Sequence, residues 1–248
     1  MARLARLYVQ DQPQHVILRG LDNQSAFVDA EDYALFLDCL KAASRDHALA
    51  VHAYSLMPSA VHLLVTPREE TSLPKAMQAV GRRYVAHFNR RYGRRGTLWE
   101  GRYRATVLES ERYFLLCSRL VELRPVRAQI VVDPVDYKWT SFAHHTGVVL
   151  DALITDHAQY WSLGNTPFER QRRYKEMIEQ PLDERDIELL EQATLKGWVI
   201  GSEAWLDWCA RQANRRVSPL PRGRPRKTRA EEGVVAPDGE SDSQQRVG

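Results

Sequence analysis

Cysteine is scarce: Cys39, Cys117 and Cys209 are odd in number and widely scattered over 248 residues. That spacing argues against a disulfide framework or a zinc cluster and fits a reducing cytoplasm. Long apolar runs are missing as well. No stretch approaches the ~20 apolar residues of a membrane span, so no membrane partner is expected. Met1-Ala2-Arg3-Leu4-Ala5-Arg6-Leu7 is too short and too interrupted by charge for a signal peptide. No internal repeat is visible. Hydrophobic residues make up 44% of the chain, enough for one good core plus an appendage.

Acidic residues are scarce in two places, although the formal net charge of +3 hides this. Residues 82–104 carry Arg82, Arg83, Arg90, Arg91, Arg94, Arg95, Arg102 and Arg104 against Glu100 alone. Residues 215–229 carry Arg215, Arg216, Arg222, Arg224, Arg226, Lys227 and Arg229 with no acid, before an acidic, polar end over 231–248. Two basic blocks separated by a near-neutral stretch suggest a polyanion held at two places. Two solvated basic faces would give the same pattern.

The apolar spacing predicts a strand over residues 15–19, ended by Gly20. A helix follows from an N-cap at Asp29, with Leu35, Phe36, Leu40 and Ala43 on one face. Two apolar runs joined by Pro58-Ser59-Ala60 read as a hairpin. Ser72 is expected to cap a helix through Met77, Val80, Tyr84 and Phe88, and residues 103–108 to form a fourth strand. Ser110 is expected to cap a further helix that Pro125 ends. The order β-α-β-β-α-β, then a helix, is that of an α+β fold with a ferredoxin-like antiparallel sheet. We place a first domain at 1–146, a helical extension at 147–217 and a tail at 218–248. Within the extension, residues 168–178, 184–193 and 203–214 read as helices. Trp198, Trp205 and Trp208 are expected to pack a small subdomain. The Pro, Gly, Arg and Ser content of the tail predicts disorder when unbound.

Leu56-Met57-Pro58-Ser59-Ala60-Val61-His62-Leu63-Leu64-Val65 resembles the M-P-N-H-V-H-L-L run of the REP-associated tyrosine transposases, single-strand DNA transposases of the HUH superfamily. Arg119-Leu120-Val121-Glu122-Leu123-Arg124-Pro125-Val126-Arg127-Ala128 resembles their Y-I-x-L-N-P-V-R-A run. Between the two, Tyr84-Val85-Ala86-His87-Phe88-Asn89-Arg90-Arg91-Tyr92-Gly93 and Gly96-Thr97-Leu98-Trp99-Glu100-Gly101-Arg102-Tyr103 match the family's Y-x-x-x-F-N-x-R-x-G and G-x-L-W-E-G-R-Y. Arg19-Gly20-Leu21-Asp22-Asn23 departs from the usual R-G-N-N. The resemblance runs from about Arg3 to Trp139 and implies the HUH variant of the ferredoxin-like fold.

The resemblance also shows what is gone. In the family, two strand histidines and a polar side chain on the later helix hold magnesium or manganese, and a helix tyrosine attacks the phosphate. Here Ala60 stands at the first histidine, His62 alone survives, Leu120 stands at the tyrosine and Arg124 at the polar ligand. Leucine is no nucleophile, and arginine is a permanent cation with no acceptor. No metal is expected to bind tightly. His62 reads equally as a structural strand histidine, and nothing in the spacing of His52, His47 or His87 demands a metal. Tyr113, two helical turns before Leu120, is a weak stand-in displaced by about 10 Å along the helix axis.

What survives is binding. Arg82 to Arg104 interleaves cations with Trp99 and other aromatics, the makings of phosphate contacts and stacking platforms. Pro221-Arg222-Gly223-Arg224-Pro225-Arg226-Lys227 resembles the AT-hook, whose R-G-R core lies in the minor groove of A·T-rich duplex. The expected partners are therefore DNA, single-stranded or in hairpins of repetitive extragenic type, and A·T-rich duplex at the tail. The family's frequent dimers imply a homodimer, and the expected setting is the nucleoid in the cytoplasm. Two alternatives stay open: a working transposase with a rearranged metal and tyrosine site, and an RNA-binding module.

Overall fold

The computed structural model describes residues 7–219. The AT-hook-like residues Arg222, Arg224 and Arg226 lie outside them.

Four strands form one sheet: β1 (Gln14–Arg19), β2 (Leu49–Met57), β3 (Ala60–Pro67) and β4 (Arg104–Val107), in the order β2-β3-β1-β4. Every neighbouring pair is antiparallel. With α1 (Ala30–Asp46) between β1 and β2, and α2 (Ser72–Arg91) between β3 and β4, this is the expected ferredoxin-like arrangement. Asp29 caps α1, its carboxylate accepting from the Glu31 and Asp32 amides. The other two expected caps shift by one residue. Thr71 and Glu109 precede the helices, and Ser72 Oγ instead accepts from the Glu69 amide.

Strand alternation sorts the side chains. Val16, Leu18, Leu56, Val61, Leu63 and Val65 face α1 and α2, where they meet Phe36, Leu40, Val80 and Tyr84 in the main core. Ala53 and Leu64 face the other way, toward α3 (Ser110–Glu122). A β-bulge between Val51 and Ala53 turns His52 to that side. The turn between β2 and β3 seats against Gly20, whose amide donates to Ser59 O at 2.7 Å. A Cβ on Gly20 would fall 2.2 Å from Gln24 O, so only glycine allows this approach.

After α3 the chain forms α4 (Arg124–Arg127), α5 (Phe142–His145), α6 (Ala158–Trp161), α7 (Pro167–Glu179), α8 (Glu184–Lys196) and α9 (Glu203–Ala213). These do not build the separate subdomain expected from the tryptophans. Ile187, Leu190 and Ala193 of α8 share a core with Leu64, Leu108, Phe114 and Leu120. Trp205 and Trp208 pack on Val9 and Val107 beside β4. The Ile200 amide donates to Val107 O at 3.0 Å, stitching the last connection to the end of β4. Buried Glu122 of α3 accepts from Tyr174 of α7 at 2.7 Å and from His145 of α5 at 2.6 Å. The physical reason is area: the open sheet face is apolar around Ala53 and Leu64, and α3 and α8 cover it together. No helix among the described residues is long and apolar enough to cross a membrane.

Candidate nucleic-acid interface

Pairing of β1 with β3 sets Arg19 opposite Ala60 and Ile17 opposite His62, all on the sheet face turned toward α8. Arg124, the first residue of α4, reaches the same place from the turn after α3. Ala60, His62 and Arg124 thereby line one cavity of about 220 Å³ together with Arg19, Asn23 and Glu191. The three residues singled out by the motifs, two on a strand and one beyond a later helix, are brought together. Leu120 does not line the cavity. It is fully buried one helical turn earlier, in the apolar cluster with Leu64, Ile187 and Leu190.

His62 is 6% exposed and stacks on His15, ring centroids 5.7 Å apart. Burial, followed by the nearby Arg124 charge, holds the His62 imidazole well below its ordinary range, so it is neutral. His15 is pushed down to about 3 by the same two causes in the same order. Its Nδ1–H donates to Thr194 Oγ1 at 2.8 Å, because that hydroxyl itself donates to Leu190 O. Arg124 meets Glu191 of α8 at 2.9 Å. Burial lowers the pKa of Arg124, yet a guanidinium keeps its proton throughout the physiological range.

These side chains do not fit a divalent cation. The three motif positions offer one imidazole, a methyl group and a guanidinium. The carboxylate of the cavity, Glu191, is already paired with Arg124, Ser59 Oγ donates to Asn23, and the fixed positive charge of Arg124 repels a metal. His52 is no substitute. Its Nδ1–H donates to Thr155 O at 2.7 Å and its Nε2 accepts from Thr66 Oγ1 at 2.8 Å, which commits both nitrogens. Among the described residues, His144, His145 and Asp156 could converge on a metal. The Asp151 amide donates to His144 Nδ1 at 3.1 Å, however, so His144 Nε2 carries the proton and donates to Asp156. Tyr113 sits in the first turn of α3 with the Arg112 guanidinium 5.6 Å from its ring centroid, and it lines none of these cavities.

A second cavity of about 230 Å³ adjoins the first, lined by Arg19, Glu100, Arg102, Arg104 and Leu195. Ile17 and Arg19 line both, so a groove runs along β1 beside α8 with Arg124 at one end and Arg104 toward the other. The remaining predicted arginines divide differently. Arg82, Arg83 and Arg90 are exposed on α2, across the sheet from the groove. Arg91 is engaged with Asp29, Glu31 and Asp32, at 2.6, 3.0 and 3.2 Å. Arg94 lies over the Phe88 ring and donates to Gln24, and Arg95 is exposed beside it. Trp99 is a correction. It is 7% exposed, with its ring against Phe36 and Tyr84, so it fills the core and offers no platform for a base. Sequence reasoning missed Arg19 and Glu191. Arg19 follows from strand alternation once the β1–β3 pairing is known. Glu191 shares a helical face with Ile187, Leu190 and Thr194, and only the docking of α8 reveals that face as inward.

Residues 8–118 match a family model described as "Transposase IS200 like". No curated protein matches the chain. Among solved structures, a REP-associated tyrosine transposase bound to a REP hairpin is 14% identical, covers 64% of this chain and 93% of its own, and superposes with a TM-score of 0.50, a likeness of fold. A candidate transposase from Deinococcus radiodurans R1 is 28% identical over 46% of this chain and 93% of its own, with a TM-score of 0.34. A bacterial tRNA(His) guanylyltransferase-like protein in complex with ATP is 13% identical over 76% and 92%, with a TM-score of 0.32.

Proposed function

We propose that this chain, whose residues 8–118 match the model of IS200-like transposases, is a transposase-like DNA-binding protein that recognises single-stranded or hairpin DNA and has lost strand cleavage. The observation that carries this reading is the composition of the one cavity where β1, β3 and α4 meet. Ala60 and Arg124 line it, Leu120 is sealed in the core behind it, and no tyrosine faces it. A groove so lined can hold a phosphate backbone through Arg19, Arg102 and Arg104. It presents no tyrosine to attack a phosphate covalently, which supports the loss of cleavage. The similarity of fold to a transposase solved with a REP hairpin supports hairpin DNA as the partner class.

The test is to incubate the purified protein with single-stranded hairpin oligonucleotides and manganese, then resolve the mixture with and without denaturant. The expected outcome is a retarded complex in the native gel and no protein–DNA adduct in the denaturing one. A covalent adduct would falsify the loss of cleavage. Matched RNA hairpins run alongside should bind more weakly, and tighter RNA binding would move the partner class from DNA to RNA.

The basic tail provides a second contact, with A·T-rich duplex, supported by Pro221-Arg222-Gly223-Arg224-Pro225. A protein that meets DNA in both ways belongs on the nucleoid.

A further inference from the structure

Positive charge enters the cavity between β1, β3 and α8 from Arg19 and Arg124, and the single carboxylate facing them belongs to Glu191. That carboxylate is 35% exposed and meets Arg124 through one Nη2–Oε1 contact of 2.9 Å. The Arg124 side chain is 18% exposed, so the attraction within this lone pair is offset by the cost of desolvating the guanidinium, and the pair contributes little net stability. Other donors in the cavity go unanswered. Arg124 Nε has no acceptor, and His62 Nδ1, on a ring more than nine-tenths buried, has no partner. A neutral imidazole with its proton on Nδ1 can donate one hydrogen bond there. Buried donors around two guanidinium groups, answered by one solvent-facing carboxylate, describe an anion site occupied from within the molecule.

We propose that this cavity binds a backbone phosphate of single-stranded DNA without a metal ion, and that Glu191 on α8 is the internal carboxylate which that phosphate displaces. The inference rests on the DNA-binding reading above. Guanidinium groups suit the ligand, because their planar donors pair two at a time with phosphate oxygens. Ala60 suits it too, because a methyl group in place of a longer side chain leaves room beside Arg124. The adjoining cavity continues the same chemistry. Arg19 is shared, and Arg102 and Arg104 follow along the groove, three cations against the one carboxylate of Glu100, so neighbouring phosphates of one strand meet net positive charge in turn. Glu191 then sets the threshold for entry: DNA must replace its carboxylate before the strand seats against β1.

Four full-length proteins decide the matter: wild type, Arg124→Gln, Glu191→Gln and, as a charge-preserving control, Arg124→Lys. Affinity for a fluorescent DNA hairpin is measured by anisotropy in EDTA, and inorganic phosphate is titrated separately against thermal unfolding. In EDTA the wild type should bind the hairpin as tightly as it does in magnesium. Arg124→Gln should weaken binding roughly tenfold, the effect of deleting one charged hydrogen bond. Arg124→Lys should recover part of that affinity, and Glu191→Gln should tighten binding about two- to fivefold, as expected when a weak competing pair is removed. Phosphate should raise the unfolding temperature of wild type and, more strongly, of Glu191→Gln, but not of Arg124→Gln. Hairpin binding that is equal in wild type, Arg124→Gln and Glu191→Gln overturns the inference and leaves the DNA-binding reading standing. Hairpin binding that EDTA abolishes overturns it as well. If no protein binds DNA but phosphate still stabilises in an Arg124-dependent way, the DNA reading fails and the anion site stands.

Discussion

Leu120, which the motif resemblance sets at the family's tyrosine position, is a packing residue. It is completely buried among Leu64, Leu108, Phe114, Ile187 and Leu190, the residues that join the sheet face, α3 and α8. Truncation there leaves a cavity that packed neighbours cannot close. Leu120→Ala should therefore destabilise the protein by about 3 kcal/mol, read as a lower urea midpoint at unchanged slope. A change below about 1 kcal/mol would show instead that the site is loosely packed. The substitutions at Ala60, Leu120 and Arg124 were legible as residue types, because chemistry follows from side-chain identity. Their surroundings were not. Nothing in the spacing announced that Leu120 sits behind the cavity while Arg124, four residues on, lines it, because that depends on where α3 ends and α4 begins. Trp99 shows the same limit from the other side, since an aromatic in a basic run reads alike whether it stacks on a base or fills a core.

At the scale of elements, the decisive contact is α8 on the sheet. Strands, helices and the hairpin were readable from period and punctuation, with caps misplaced by one residue because Ser72 and Ser110 have the stronger side-chain preference for a position that Thr71 and Glu109 occupy. The docking of α8 was not readable, because an amphipathic helix announces that it has a partner but not which surface that is. The contact has a titratable signature. His15 of β1 donates to Thr194 of α8 and has its pKa lowered from 6.5 to about 3 by burial and Arg124. His52, lowered to about 4 by burial, packs its ring against Phe114 of α3. Both are neutral in the fold and protonate more readily in the unfolded chain. Their contribution is therefore complete above pH ~6.5 and declines as pH falls from there toward the folded values. Each should remove on the order of 2 kcal/mol of stability by pH 5. Urea unfolding at pH 7.5 and pH 5 checks this, with His15→Gln expected to show a shallower dependence. A stability that is flat over that interval, in wild type and variant alike, would rule the account out.

For the whole molecule, the arrangement of charge is the organising fact. The groove cations Arg19, Arg102, Arg104 and Arg124 lie on one side of the sheet, while Arg82, Arg83 and Arg90 lie on α2 across it. A third basic stretch begins where α9 ends, with Arg216 placed over the Trp198 ring at 5.3 Å, and continues as Arg222, Arg224, Arg226 and Lys227. Those last residues need neither the groove nor Ala60, Leu120 and Arg124, so binding at the tail and binding in the groove should separate by mutation. Counterion release makes the separation measurable, because removing one cation–phosphate pair flattens the dependence of log affinity on log salt by about 0.9. Arg222→Ala with Arg224→Ala should weaken binding to A·T-rich duplex, reduce that slope by about 2 and leave hairpin affinity nearly unchanged. Substituting Arg102 and Arg104 should do the opposite, weakening the hairpin complex and sparing the duplex. If the tail substitutions lower hairpin and duplex affinity equally, the tail acts as a general polycation. If they leave A·T-rich binding untouched, the resemblance to an AT-hook has no bearing on how this protein meets DNA.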